Sequence, residues 1–328
     1  MPAPWRGSRD VEAMLDVRSS DELATWFADL LGLRFPAARK RVLRVYPGKA
    51  ARVKDPTGYA DFAVSDPALT GPPVPIEVDA PQVRAIRSGE GVSIVRSNYG
   101  ACFMAPLAFG GEARYLVELE GDVPAADGEY FGQLGVIVAK YYERLVEAET
   151  DPLTRLANRR AFQSHLEAGA RRWSIAGRPH YFAVLDIDHF KRINDGFGHL
   201  YGDEILVLFA NLMRKTFRAG DLLYRFGGEE FVVVYGVEPE HCGEEALERF
   251  RAAVEAASFP GVDRVTVSAG FTRISDAATP ASTLYDRADR ALYHAKLQGR
   301  NRVRSWDSLV ASGGLEAQPA ANTDATLF

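Results

Sequence analysis

Hydrophobic positions follow helical spacing near the start of the chain and strand spacing soon after it. Ser19 and Glu22 have the spacing of a capping box, and apolar residues follow them on one helical face. The strand-like runs that come next are 41–46, 102–107 and 114–119. Glycines at 110–111 predict a hairpin between the last two, whereas prolines and glycines over 66–82 predict an irregular loop. These patterns predict an α+β domain over residues 1–126.

Residues 127–150 show a different pattern, in which apolar positions alternate steps of three and four. The residues in this series are Phe131, Leu134, Val138, Tyr141, Leu145 and Ala148. Such spacing is typical of a heptad seam, so we expect a helical, coiled-coil-like linker that pairs with its copy in a second chain. The same pattern also fits an ordinary amphipathic helix that packs on its own domain.

Helix and strand patterns alternate over residues 151–306. Helices are predicted near 158–173, 200–217, 243–257 and 281–298. Strands are predicted at 181–186 and 264–271, in a hairpin over 222–235, and near 301–306. This order predicts an α/β (α+β) domain with a mixed sheet covered by helices. Residues 307–328, which offer few apolar side chains to bury, are predicted to be disordered.

Composition narrows the class of protein. The chain has 328 residues, 47% of them hydrophobic, and a net charge of −5. This length favours two domains, and an acidic balance argues against a general nucleic-acid binder. Cys102 and Cys242 lie far apart and show no metal-ligand spacing. Because no signal-peptide pattern or long apolar run is present, we expect a cytoplasmic protein that does not bind membranes.

Acidic residues follow two of the predicted strands. Asp186–Asp188 ends one strand, and Glu229 and Glu230 come directly after the Gly227–Gly228 turn of the hairpin. For either group alone, solvated acids are the better explanation. If the two strands are neighbours, however, their carboxylates converge, and a hard divalent cation would neutralise the repulsion between them.

Four ordered motifs resemble the GGDEF family of diguanylate cyclases. Residues 227–231 read GGEEF, and residues 151–160 read DPLTRLANRR where the family has DPLTGLPNRR. Residues 186–203 follow the family's D-x-D-x-F-K-x-I-N-D-x-x-G-H-x-x-G-D pattern, and residues 291–301 match its closing segment. The resemblance covers nearly half of the chain. It implies a fold related to the palm domains of nucleotidyl cyclases and polymerases.

The resemblance implies a homodimer that condenses two GTP molecules into cyclic di-GMP and two pyrophosphates. It implies Mg²⁺ or Mn²⁺ as cofactor, held by Asp186, the carbonyl of Ile187, Glu229 and Glu230, the two glutamates being also the catalytic residues. The implied GTP-binding residues are Phe190, Lys191, Asn194, Asp203, Gly227, Gly228, Lys296 and Arg300. Of these, Asn194 and Asp203 match positions that read guanine, while the three basic residues match positions that hold phosphates. The alternatives are a helix cap or turn for Asn194 and solvated charges for Lys296 and Arg300.

Arg218 and Asp221 match the RxxD site at which family members bind their product as an inhibitor, and Arg249 matches its supporting arginine. A surface ion pair is the alternative for these residues. The N-terminal domain resembles a GAF-type sensor of unknown ligand, with a PAS-type fold as the alternative. For the whole chain, the alternative to an active enzyme is a weak or inactive domain that binds GTP or cyclic di-GMP as a signalling module.

Overall fold

The computed structural model describes sixteen segments of the chain. They are residues 12–47, 59–65, 74–77, 82, 85–86, 93–97, 100–109, 112–121, 125–162, 164–165, 179–218, 220–238, 241–259, 261–262, 264–275 and 279–316. The chain divides into two compact units, Met1–Glu149 and Thr150–Phe328. Within the described residues, no helix is both long and apolar enough to span a lipid bilayer.

The first unit is built on a six-stranded antiparallel sheet. Its strands are β1 (Arg39–Pro47), β2 (Tyr59–Ser65), β3 (Val74–Glu77), β4 (Ser93–Ser97), β5 (Gly100–Phe109) and β6 (Glu112–Gly121), in the order β3-β2-β1-β6-β5-β4. The described part of this unit also contains the helices α1 (Ser20–Arg34) and α2 (Ala125–Glu149). The Oγ atom of Ser19 accepts a hydrogen bond from the Glu22 amide at 3.2 Å, which confirms the predicted start of α1.

Helix α2 belongs to this unit and is not a separate linker, so the predicted boundary at 126 and 127 is wrong. The predicted seam residues Leu134, Val138 and Leu145 are buried in one core with α1 and β6. At the end of the helix, the Glu149 carboxylate accepts hydrogen bonds from the amide and the hydroxyl of Ser20. The apolar stripe of α2 therefore covers its own sheet, which leaves these residues unavailable to a second helix.

Three strands of this unit, β2, β3 and β4, were not predicted from the sequence. The predicted loop over 66–82 is wrong at Val74–Glu77, which forms β3 and pairs only with β2. An edge strand tolerates Pro75 because one side of its backbone needs no partner in the sheet. Several predicted features lie outside the described residues. They are the turn at 110–111, the side chain of Phe131, and the part of the predicted 158–173 helix that follows residue 165.

The second unit contains a five-stranded mixed sheet, as predicted. Its strands are β7 (His180–Ile187), β8 (Leu222–Gly227), β9 (Glu230–Gly236), β10 (Val267–Ile274) and β11 (Val303–Ser305), in the order β11-β10-β7-β9-β8. Only β10 and β11 run parallel; the other neighbours are antiparallel. The central strand β7 is buried over most of its length, which explains its uninterrupted apolar run.

Helices cover both faces of this sheet. Among them are α3 (Phe190–Phe197), α4 (His199–Thr216), α5 (Gly243–Ala256) and α6 (Ala281–Leu297), and helical residues near 159–165 share a core with α6. Phe209 of α4 and Phe250 of α5 pack on one face, and Leu292 of α6 packs on the other. Helix α6 lies directly on β10, because a Cβ atom added to Gly270 would be 2.1 Å from both Ala288 O and Leu292 N. Only glycine allows this close approach.

The chain continues into a short helix, α7 (Trp306–Ala311), so the prediction of disorder is wrong for 307–311. Trp306 and Leu309 are only 4% and 9% exposed and share a small core with Ala291 of α6. The Arg290 guanidinium also lies over the Trp306 ring, 4.9 Å from its centroid. Two apolar residues one helical turn apart were enough to order this segment against α6. Residues 317–328 lie outside the described part.

Candidate active site

The two acidic motifs meet at one end of the sheet, as the sequence predicted. Asp186, near the end of β7, lies directly opposite Glu230 in β9. The Ile187 amide donates to the carbonyl oxygen of Glu229 at 3.4 Å. Adjacent strand ends therefore bring the three acids Asp186, Glu229 and Glu230 into one neighbourhood.

Burial and mutual repulsion raise the pKa values of the three acids. Asp186 is 5% exposed, and burial raises its pKa although the nearby Lys296 and Arg300 charges act in the opposite direction. Burial also raises the pKa values of Glu229 and Glu230, and the charge of Asp186 raises them further. The Nζ atom of Lys296 lies 2.9 Å from Asp186 Oδ2. Lys296 is therefore part of the acidic site, and solvated charge is the wrong interpretation of it.

The donor chemistry of the site fits a hard divalent cation. The carboxylates of Asp186, Glu229 and Glu230, with the carbonyl of Ile187, offer only oxygen ligands, which Mg²⁺ and Mn²⁺ prefer. Their raised pKa values mark an excess of negative charge that a cation would relieve. Within the described segments, however, no three acidic, histidine or cysteine side chains already surround a common point. Strand register brings these acids together, and Lys296 balances Asp186.

The Gly227–Gly228 turn is open and firmly held. A Cβ atom added at either glycine would meet no heavy atom within 4 Å, so a ligand can approach the backbone closely. Arg225 donates from Nε and Nη2 to the Gly228 carbonyl at 3.1 and 2.9 Å. Its Nη1 atom lies 3.2 Å from both carboxylate oxygens of Asp151. Sequence reasoning missed Arg225, although its place two residues before the glycine pair was a usable signal.

The opening segment keeps its turn despite the departure at Arg155. Asp151 accepts hydrogen bonds from the amide and hydroxyl of Thr154, both at 2.7 Å, and its own amide donates to Leu156 O at 2.8 Å. Burial opposes ionisation of Asp151, but the Thr154 and Arg225 contacts together hold its pKa below the usual range. Arg155 adopts a left-handed φ of 60° where the related motif has glycine. The arginine therefore makes the glycine-type turn at a modest cost in strain.

The predicted guanine-reading residues lie on α3 and α4. The Asn194 side chain fits against Gly202 so closely that a Cβ atom there would be 1.9 Å from Asn194 Oδ1. This oxygen is buried and has no hydrogen-bond partner. The capping bond at the end of α3 uses the backbone carbonyl of Asn194, so its side chain is not a cap. Asp203, one residue beyond Gly202, is half-buried.

The remaining predicted GTP-binding residues fall into two groups. Phe190 is buried at the start of α3, whereas Lys191 beside it is exposed. Arg300, just beyond α6, has a left-handed φ of 61°, and its charge acts to lower the pKa of Asp186. The structure therefore places Lys296 and Arg300 beside the acids.

The predicted inhibitory residues come together at the other end of the β8–β9 hairpin. The Asp221 carboxylate accepts from the amides of Arg218 at 2.7 Å and of Gly236 at 3.4 Å. Burial raises the pKa of Asp221 to about 6, although the Arg218 and Arg249 charges act against this rise. The Arg218 guanidinium also pairs with Glu238 at 3.3 Å, as the surface ion-pair alternative expected.

Comparison with known proteins agrees with this geometry. Residues 148–302 match the family model described as "Diguanylate cyclase, GGDEF domain". The chain is 46% identical over 160 residues to Diguanylate cyclase DgcP of Pseudomonas aeruginosa, a match that covers 48% of this chain and 24% of that protein. It is 38% identical over 156 residues to Diguanylate cyclase DgcM of Escherichia coli K12, covering 48% of this chain and 38% of that protein. The chain thus spans well under half the length of these relatives.

Among solved structures, the chain resembles the coiled coil and GGDEF domain of DgcB from Caulobacter crescentus in complex with c-di-GMP. The identity is 30%, the match covers 55% of this chain and 97% of that one, and the TM-score is 0.48. The family match coincides with the unit that carries the acidic site and all four motifs. Residues 148–302 are therefore similar to the GGDEF domains of diguanylate cyclases.

Proposed function

We propose that this protein is a diguanylate cyclase, which condenses two GTP molecules into cyclic di-GMP and two pyrophosphates. The observation that carries the proposal is the meeting of Asp186, Glu229 and Glu230 at adjacent strand ends beside Lys296. The names of the DgcP and DgcM relatives support the same activity. A domain with only a scaffolding role would have no need to bury these mutually repelling charges.

The GTP molecule is recognised at both of its ends. Asn194 and Asp203 bind guanine, whose N1–H and 2-amino group are donors that adenine lacks at those positions. The buried, unpartnered oxygen of Asn194 supports this role. Lys191, Lys296 and Arg300 bind the β- and γ-phosphates, together with backbone amides near Phe190. The open Gly227–Gly228 turn lets the nucleotide approach the backbone.

The reaction is a nucleotidyl transfer that occurs twice. The ribose 3′-oxygen of one GTP bonds to the α-phosphorus of the other, the bond from that phosphorus to the bridging oxygen breaks, and pyrophosphate leaves. Glu230 or Glu229 accepts the proton of the 3′-hydroxyl, a role that their raised pKa values suit. When Mg²⁺ or Mn²⁺ is held by Asp186, Ile187 and the two glutamates, it neutralises negative charge on the phosphates.

Two copies of the domain must act together, because each binds one GTP and the product joins two. A two-fold arrangement that faces the two sites towards each other satisfies this need, so we expect an active homodimer. The N-terminal unit, an antiparallel sheet with helices, serves as a GAF-like sensory domain, to which we assign no particular ligand. Cyclic di-GMP binding at Arg218, Asp221 and Arg249 inhibits the enzyme.

The decisive experiment incubates the purified chain with GTP and Mg²⁺ and quantifies cyclic dinucleotide and pyrophosphate. We expect both products in a ratio of about one to two, and none from the Glu229→Gln/Glu230→Gln variant. A parent protein that binds GTP or cyclic di-GMP but releases no product would instead be a signalling module. The ion pair between Lys296 and Asp186 is the feature that favours this second function.

A further inference from the structure

Asp188 lies two residues after Asp186, but its carboxylate is already occupied. Oδ1 accepts from the Ser268 hydroxyl at 2.7 Å. Oδ2 accepts from the Thr266 hydroxyl at 2.7 Å and from the Asn301 amide at 2.9 Å. The residue is 5% exposed. A carboxylate with about four acceptor positions has at most one left after three such bonds, so Asp188 is poorly placed to act as a cation ligand.

The hydrogen bond from the Asn301 amide to Asp188 holds a backbone segment with unusual φ angles. Arg300 and Asn301 are consecutive left-handed residues, with φ of 61° and 45°. Left-handed non-glycine residues are disfavoured and persist only where surrounding contacts hold them. Here the contacts are the Asp188 bond to the Asn301 amide and a bond from the Arg300 amide to Ala295 O at 3.1 Å.

The Asn301 side chain secures the same turn from the other side. Its Oδ1 atom accepts from Arg251 Nη1 at 2.9 Å, and its Nδ2 atom donates to Glu255 Oε1 at 3.1 Å. Both partners lie on α5, and Arg251 also pairs with Glu255 at 2.6 Å. Asn301 is therefore fixed between the end of β7 and α5. Arg300, its immediate neighbour, has little freedom to change direction.

We infer that Asp188 and Asn301 are positioning residues that hold Arg300 where it binds the terminal phosphates of GTP. The inference rests on the proposed function and deepens it, because it assigns recognition of the triphosphate to a network outside the acidic site. Arg300 lies four residues after Lys296, whose Nζ atom is 2.9 Å from Asp186 Oδ2, and directly before Asn301, whose amide bonds to Asp188, so it belongs to the same end of the sheet as the acidic site. Loss of either positioning residue should release Arg300 while leaving Asn194 and Asp203 unaffected.

The test compares two ligands by isothermal titration calorimetry with the full chain: GMP and a GTP analogue with a methylene bridge between the α- and β-phosphorus. We expect Asn301→Ala and Asp188→Ala to weaken binding of the analogue about tenfold and to leave GMP binding within about twofold of the parent. Asp188→Asn should stay within about threefold for both ligands, because its amide oxygen can accept from Asn301 while its NH₂ group donates to Ser268.

Asn211→Ala is the matched control, because it removes another asparagine whose Oδ1 accepts from an arginine, Arg214 Nη1, at 3.0 Å, at an exposed position of α4. Unchanged analogue binding in Asn301→Ala would overturn the inference, and so would an equal loss of GMP binding. If Asp188→Asn were as weak as Asp188→Ala, the charge of Asp188 would be what matters, and the positioning role would be wrong. A parent that binds neither ligand would instead contradict the proposed function itself.

Discussion

Arg225 and Asp151 connect the first motif of the GGDEF domain to its glycine turn. One guanidinium nitrogen of Arg225 lies 3.2 Å from both Asp151 oxygens, while the other two donate to the Gly228 carbonyl. Asp151 is itself fixed by Thr154. The conformation of the turn beside the proposed catalytic acids therefore depends on Asp151, which lies 74 positions before Arg225 in the chain, and this dependence can be measured.

We expect Arg225→Ala to lower kcat/KM for GTP by about 10- to 100-fold, because the Gly228 carbonyl loses both donors and the turn beside Glu229 relaxes. Asp151→Asn should have a smaller effect in the same direction. The double variant should be no worse than Arg225→Ala, because the two residues act through one contact. Additive losses in this double-mutant cycle would contradict the coupling.

The acidic site should destabilise the protein when no cation is bound. Folding raises the pKa values of Asp186, Glu229 and Glu230. At pH values above the ordinary carboxylate pKa of about 4, the folded chain therefore binds more protons than the unfolded chain. Stability is therefore lost as the pH rises through this range. We expect Glu230→Gln to raise Tm at neutral pH by about 1–2 °C without Mg²⁺, a small effect because solvent screens half-exposed charges.

Mg²⁺ provides the control for this prediction. Adding it should raise Tm of the parent, because it binds the folded state, and should leave Glu229→Gln/Glu230→Gln unchanged. Differential scanning fluorimetry with and without EDTA measures both effects. A lower Tm for Glu230→Gln in EDTA would show that the carboxylates do not repel each other as described.

Gly202→Ala should weaken nucleotide binding by displacing Asn194. The added Cβ atom would be 1.9 Å from Asn194 Oδ1 and 3.1 Å from the Phe190 ring, so the side chain must move. We expect about a tenfold increase in Kd for GMP. Gly196→Ala on α3 is the control, because a Cβ atom there meets nothing within 4 Å and alanine favours the helix. Equal affinities for the two variants would contradict the assignment of Asn194.

Product inhibition should weaken in mild acid. The pKa of Asp221 is raised to about 6, so its carboxylate becomes protonated as the pH falls through that value, well above the range of an ordinary aspartate. A neutral carboxyl is a poorer acceptor for the donors of guanine. The inhibition constant for cyclic di-GMP, measured at about pH 5.5 and 7.5, should be larger at the lower pH. In Asp221→Asn, the constant should not change between the two values.

The seam residues of α2 should contribute to the stability of their own unit. Leu134 is 3% exposed in the core, whereas Val136 on the same helix is 44% exposed. Leu134→Ala should lower the free energy of unfolding by about 2–5 kcal/mol, and Val136→Ala by well under about 1 kcal/mol. Urea denaturation measures both. A cost below about 1 kcal/mol for Leu134→Ala would mean that the residue is not part of a packed core.

Local signals predicted the GGDEF domain well. The apolar run of β7, the glycine turn and the amphipathic pattern of α4 each predicted an element that lies within one or two residues of the observed one. Strand β10 begins at Val267, three residues later than predicted, because the preceding residues have strand-like composition but lie before the ladder to β7. The convergence of Asp186 with Glu229 and Glu230 was predicted on the condition that their strands are neighbours, and β7 and β9 are neighbours in the sheet.

Tertiary context decided the features that the sequence did not reveal. The spacing of Leu134, Val138 and Leu145 is the same for a paired helix and for one that lies on its own sheet, so periodicity could not choose between them. The contacts of Arg225 with Asp151 and of Asn301 with Arg251 join residues 74 and 50 positions apart, so local sequence could not reveal them. Pro75 argued against a strand at β3, which forms at the edge of the sheet by pairing with β2.

Gly270 sets a limit on how this domain can vary. Helix α6 carries Lys296 in its last turn and ends shortly before Arg300, and its backbone lies against Gly270 without an intervening side chain. Any larger residue would move the helix away from the sheet by roughly the size of a methyl group. This displacement would break the ion pair between Lys296 and Asp186, whose charged atoms lie 2.9 Å apart. The absence of a side chain at this position of a buried strand thus sets the distance between the basic residues at the end of α6 and the acids at the end of β7.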